Sequence, residues 1–101
     1  MPTTRDVLNT IYMGMAPVGD HTSTSSLSTA TEITIPAGAN RIMMQAATKS
    51  VRVTFDGTTP TTTVGFLLTA GNDPLIFPVQ GCTLTAIEIA ATAVLNYQFF
   101  E

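Results

Sequence analysis

From Thr31 to Phe99 the chain is written largely in a two-residue period. Ile33 and Ile35 alternate with Thr34 until Pro36-Ala-Gly-Ala-Asn40 interrupts them. Ile42 and Met44 alternate with Arg41, Met43 and Gln45, and Val51, Val53 and Phe55 alternate with Arg52 and Thr54. Successive side chains of a strand point to opposite faces, so each run predicts a strand with one face turned to a core. Asp56-Gly57 stops the third strand, and Thr58 to Thr63 makes a polar connection to a fourth over Val64–Thr69. Ala70-Gly-Asn-Asp-Pro74 closes that strand. Leu75-Ile-Phe77 lies between Pro74 and Pro78, which predicts an edge or irregular strand, because proline cannot donate to a ladder. In Thr83–Ala90, Thr85, Ile87 and Ile89 alternate with Leu84, Ala86 and Glu88, and Leu95, Tyr97 and Phe99 alternate with Asn96 and Gln98.

Seven short strands at a spacing of about 8–12 residues, with turn residues between them, predict an all-β fold: a small antiparallel β-sandwich or barrel. One face of each strand supplies the expected core: Ile33, Ile35, Val51, Val53, Phe55, Ile87, Ile89, Leu95, Tyr97 and Phe99.

Upstream of residue 30 the pattern changes. Residues 1–29 read as an N-terminal arm and a Ser/Thr-rich linker, and residues 30–101 as the sandwich body. His21-Thr-Ser-Thr-Ser-Ser-Leu-Ser-Thr29 has the composition of a linker, since such side chains bond to their own backbone and add little to a core. Within the arm, Thr4 fits an N-cap, and Val7, Leu8, Ile11, Tyr12 and Met15 fall on one helical stripe. A short helix over Thr4–Met13 is the preferred reading, and an extended arm is the alternative.

Charge is scarce. Charged residues make up 11% of the chain and hydrophobic ones 45%, with a net charge of −3. A soluble domain ordinarily carries about 25% charged residues. A surface this poor in charge does little to keep copies apart, which points to surface covered by partners. Arg5, Arg41, Lys49 and Arg52 are too few and too scattered for a phosphate-tracking groove, so nucleic acid is not an expected partner. No stretch approaches the roughly 18 apolar residues of a membrane span, and no basic-then-apolar leader opens the chain.

The candidate chemistry is thin. Cys82 is the one cysteine, expected as a small buried residue rather than a reactive thiol. His21 is the one histidine, so no His/Cys metal cluster exists, and Asp20 and Ser23, Ser25 and Ser26 nearby do not make an oriented triad. Asp6, Asp20, Glu32, Asp56, Asp73, Glu88 and Glu101 are dispersed, and Asp56-Gly57 and Asp73-Pro74 belong to turns. The expectation is a non-enzymatic protein without catalytic residues, cofactor or metal.

The stretch from Val51 to Asp73, an alternating strand running into Asp56-Gly-Thr-Thr-Pro-Thr61, then Gly65, Leu67, Leu68 and Ala70-Gly71, resembles small virion structural proteins of tailed bacteriophages, the head-decoration (cement) and head–tail accessory components. The resemblance covers about residues 31–101. It implies a capsid decoration protein on the outer surface of a phage head, made in the host cytoplasm. The implied partners are the major capsid protein and copies of the chain itself, a homotrimer being the preferred form. The arm residues Val7, Leu8, Ile11, Tyr12 and Met13 are the expected partner-binding anchors. The alternatives are a neck or tail accessory protein and a carbohydrate- or receptor-binding β-sandwich module.

Overall fold

The strictest alternation becomes the most regular strand. Along Arg41–Ala47, Ile42, Met44 and Ala46 are buried while the residues between them are half-buried. The structure, a computed structural model, describes residues 16–101. It contains eight strands: β1 (Pro17–Thr24), β2 (Thr31–Ile33), β3 (Arg41–Ala47), β4 (Val51–Thr54), β5 (Phe66–Leu68), β6 (Leu75–Pro78), β7 (Leu84–Glu88) and β8 (Val94–Phe100). No helix occurs among the described residues. The helix expected over Thr4–Met13 and the anchors Val7, Leu8, Ile11, Tyr12 and Met13 lie outside them.

All ladders are antiparallel, and their pattern is that of one long hairpin folded over. Strand β4 pairs with β5, β3 with β6, β2 with β7 and β1 with β8. Two further ladders, β3 with β8 and β4 with β7, roll that hairpin into two four-stranded sheets. The orders are β1-β8-β3-β6 and β2-β7-β4-β5. An eight-stranded double sheet wound in this way is a jelly roll, the β-sandwich made of two Greek keys.

The sandwich begins earlier than the sequence pattern predicts. The Ser/Thr-rich stretch read as a linker supplies the edge strand β1 and then crosses to the other sheet. Leu27 inserts into the core at 1% exposure, and its carbonyl accepts from the Glu88 amide at 2.9 Å. Strand β1 hid from the alternation because it is broken. Its register shifts between Val18 and Thr22, with Gly19 at φ 75°, and the Gln98 side-chain amide donates to the Val18 and Gly19 carbonyls at 3.4 and 3.0 Å.

The core lies between the inner faces and includes Ile33, Ile42, Met44, Val51, Val53, Leu68, Val79, Leu84, Ala86, Leu95 and Phe99. Ile35, Phe55 and Tyr97 pack against it while half-exposed. The expected facing of β7 is reversed: Leu84 and Ala86 are buried, while Ile87 and Ile89 are half-buried. Ala86 stands opposite Val53 and Ile87 opposite Arg52, so the isoleucine is on the outer face. Glu88 shares the face of Leu84 and Ala86 and is half-buried at the strand end, opposite Val51.

Candidate functional site: an open apolar seam

Strands β5 and β6 are edge strands, one in each sheet. Ladder register fixes where their side chains point. Phe66 is opposite Val53 and Leu68 opposite Val51, so both face inward with the buried valines. Phe77 is opposite Ile42 and Leu75 opposite Met44, again on the inner face. Yet Phe66 is 67% exposed and Leu75 49% exposed. The interior of the sandwich is therefore unsealed along this side. On the outer faces of the two sheets, Leu67 and Ile76 add further exposed apolar surface, and Val64 is exposed in the depression beside Phe66.

Three rings line the opening. Phe55, just past β4, lies 5.9 Å from Phe66 and 5.2 Å from Phe77 between centroids, both pairs tilted. With Pro78 they enclose an open depression of about 260 Å³. Phe55 and Phe66 also line a larger depression of about 480 Å³ with Thr54, Asp56, Thr58, Val64 and Gly65. The two shallow cavities share a wall and form one groove with a single acidic residue at its rim.

The groove is held by a well-bonded loop. The Asp56 carboxylate accepts from the Thr58 amide at 3.0 Å, and hydrogen bonding from Thr58 keeps its carboxyl below the ordinary carboxylate range. Thr54 Oγ1 donates to the Thr58 carbonyl at 2.5 Å. Arg52 donates from Nε to the Thr62 carbonyl and from one terminal nitrogen to the Gly65 carbonyl, at 3.2 and 2.9 Å. Thr61 turns the chain, accepting from the Thr63 and Val64 amides through Oγ1. Pro60 is fully buried beneath. Gly65, at φ 122°, brings the backbone so close to β4 that a Cβ there would meet the Val53 carbonyl oxygen at 3.0 Å. A loop held by this many hydrogen bonds is pre-formed, which lowers the ordering cost of any contact made on it.

The chemistry-bearing residues do not converge. His21 is exposed on β1, with no ion-pair or catalytic partner in the described structure. No group of three His, Cys, Asp or Glu side chains capable of holding a metal occurs among the described residues. Cys82, expected to be buried, is half-buried in the turn before β7, its thiol 3.9 Å from the Pro78 carbonyl. Sequence reasoning placed the partner-binding residues in the arm and missed the seam. The signal for it was present: Phe66-Leu67-Leu68 and Leu75-Ile76-Phe77 are consecutive apolar runs, and a strand that is apolar at every position has no solvent face. No protein-family model, curated protein or solved structure matches the chain.

Proposed function

We propose that this chain is a non-enzymatic structural protein of a virion, a decoration or cement subunit that binds the outer surface of a phage head. On this reading, its partners are the major capsid protein and neighbouring copies of itself. The observation that carries the reading is Phe66, an inward-facing aromatic residue of an edge strand left 67% exposed. The free side of an exposed apolar edge strand offers backbone groups and apolar side chains to another chain. Contiguous apolar patches of this kind mark interaction surfaces. Two further features support the same reading: the scarcity of charge, and an architecture shared with viral capsid domains. The architecture is support by analogy, since the same sandwich also serves lectins and cupins.

A decoration subunit works by adding many identical contacts over a shell, so modest contacts at each seam sum to a stable coat. The test is co-sedimentation with phage shells assembled without the chain. Wild-type protein should saturate them, and Phe66→Asp should bind at least tenfold more weakly with an unchanged circular dichroism spectrum. A second reading, a carbohydrate-binding module, draws on Asp56 and Thr58 beside the exposed Phe66 ring. It predicts saturable sugar binding that Asp56→Asn abolishes, with no affinity for shells.

A further inference from the structure

We infer that the seam of one copy, at Phe66 and Phe77, is filled by the apolar N-terminal segment of a neighbouring copy. The inference rests on the assembly reading above and names the occupant of the seam. Its first support is where the chain leaves the sandwich. One row of the first sheet runs Pro17–Phe100–Arg41–Pro78, from the edge strand β1 across to β6. Pro17 begins the row and Pro78, which lines the aromatic depression, ends it. Three inter-strand steps put them about 14 Å apart. The segment thus departs from the same end of the sandwich as the aromatic cluster, but at the opposite edge. Fifteen residues precede Ala16, and fully extended they would span up to about 50 Å.

The second support is chemical fit. The depression bounded by Phe55, Phe66, Phe77 and Pro78 contains no charged side chain, and Val7 to Met15 contain none either. The third support decides between a segment's own seam and a neighbour's. A return to its own seam would cross the end of the row, which is closed by polar groups. There the Arg41 guanidinium donates to the Glu101 carbonyl at 2.5 Å, the Glu101 amide donates to the Ala16 carbonyl at 2.9 Å, and the Asn40 amide donates to the Phe100 carbonyl at 2.8 Å. An apolar segment laid across that rim would bury the Arg41 guanidinium. A donor at one edge and an acceptor at the other instead give a head-to-tail contact, which closes into a ring when the rotation permits.

The experiment is complementation read by mass. A seam-blocked chain carries Phe66→Asp, with Phe66→Ser as the second variant should the first misfold. An arm-blocked chain carries Leu8→Asp and Ile11→Asp. Wild-type protein should form an oligomer larger than a dimer, and each blocked chain alone should run as a monomer of 10.7 kDa. Mixed together, they should form a one-to-one pair and nothing larger, since only one functional arm and one functional seam remain. Three results would overturn the inference: a wild-type monomer at every concentration, an arm-blocked chain with wild-type mass, or a mixture that stays monomeric. Shell binding is scored separately. A mixture that pairs while wild-type protein ignores shells overturns the decoration reading alone, and shell binding without pairing overturns the arm alone.

Discussion

Val53 and Phe66 stand opposite one another in the β4–β5 ladder and share the inner face of their sheet, yet Val53 is wholly buried and Phe66 is 67% exposed. Neighbours on one face of a sheet ordinarily share their environment. The disparity arises because β4 is covered by the opposing sheet while β5 ends it. It also sets the first prediction. Val53→Asp places an unpaired carboxylate in the core and should cost several kcal/mol, enough to unfold a domain of this size. Phe66→Asp changes an already solvated position and should shift stability by only about 0.5 kcal/mol. Thermal unfolding of both variants checks this, and equal losses would place Phe66 in a sealed core.

The facing of β7 yields a second prediction. Leu84→Ala should destabilise by about 2–5 kcal/mol, because it opens a cavity beneath a fully buried side chain. Ile87→Thr, on the outer face opposite Arg52, should cost less than about 1 kcal/mol. Denaturant unfolding midpoints of the two variants decide the order, and a larger loss at Ile87 would restore the facing that the alternation suggested.

That reversal shows what the alternation does and does not carry. The period of two placed Ile33, Val51, Val53, Leu95 and Phe99 correctly in the core, since on those strands apolar and polar residues fall on different faces. On β7 both faces carry apolar residues, and Glu88, a natural marker of the solvent face, falls half-buried at the strand end on the inner face, opposite Val51. Strand β1 was illegible for another reason. Its bulge at Gly19 breaks the period, and its threonines and serines resemble a tether until β8 pairs with them. The seam was half legible: two all-apolar runs predicted strands, and Pro74 and Pro78 marked Leu75-Ile-Phe77 as an edge, but only the sheet order makes Phe66–Leu68 an edge as well.

Backbone strain gives a third prediction. Thr48 and Thr92 both adopt positive φ, at 62° and 72°, in the β3–β4 and β7–β8 connections. The Thr48 hydroxyl clasps the two loops, donating to the Thr92 carbonyl at 2.6 Å. A β-branched residue is poorly suited to that region. Thr92→Gly keeps the carbonyl acceptor and relieves about 1–2 kcal/mol of strain, against roughly 0.5–1 kcal/mol of added unfolded-state entropy. The expected net is a rise in stability of about 0.5–1 kcal/mol, read as a melting temperature higher by several degrees. Gly65→Ala runs the other way. Its Cβ would press on the Val53 carbonyl oxygen at 3.0 Å, and the variant should lose about 1–3 kcal/mol. A stabilised Gly65→Ala would contradict the close approach of the groove loop to β4.

The claim that the seam is covered on assembly is tested most directly by hydroxyl-radical footprinting of Phe66 with the protein free at low concentration and bound to shells. Phe66 lies 67% exposed in the single copy, so it should be readily modified when free. On shells its modification should fall several-fold together with that of Phe77, its neighbour across Phe55. Phe66 modified equally in the free and shell-bound protein would contradict the account, because the chain would then assemble with its seam still open.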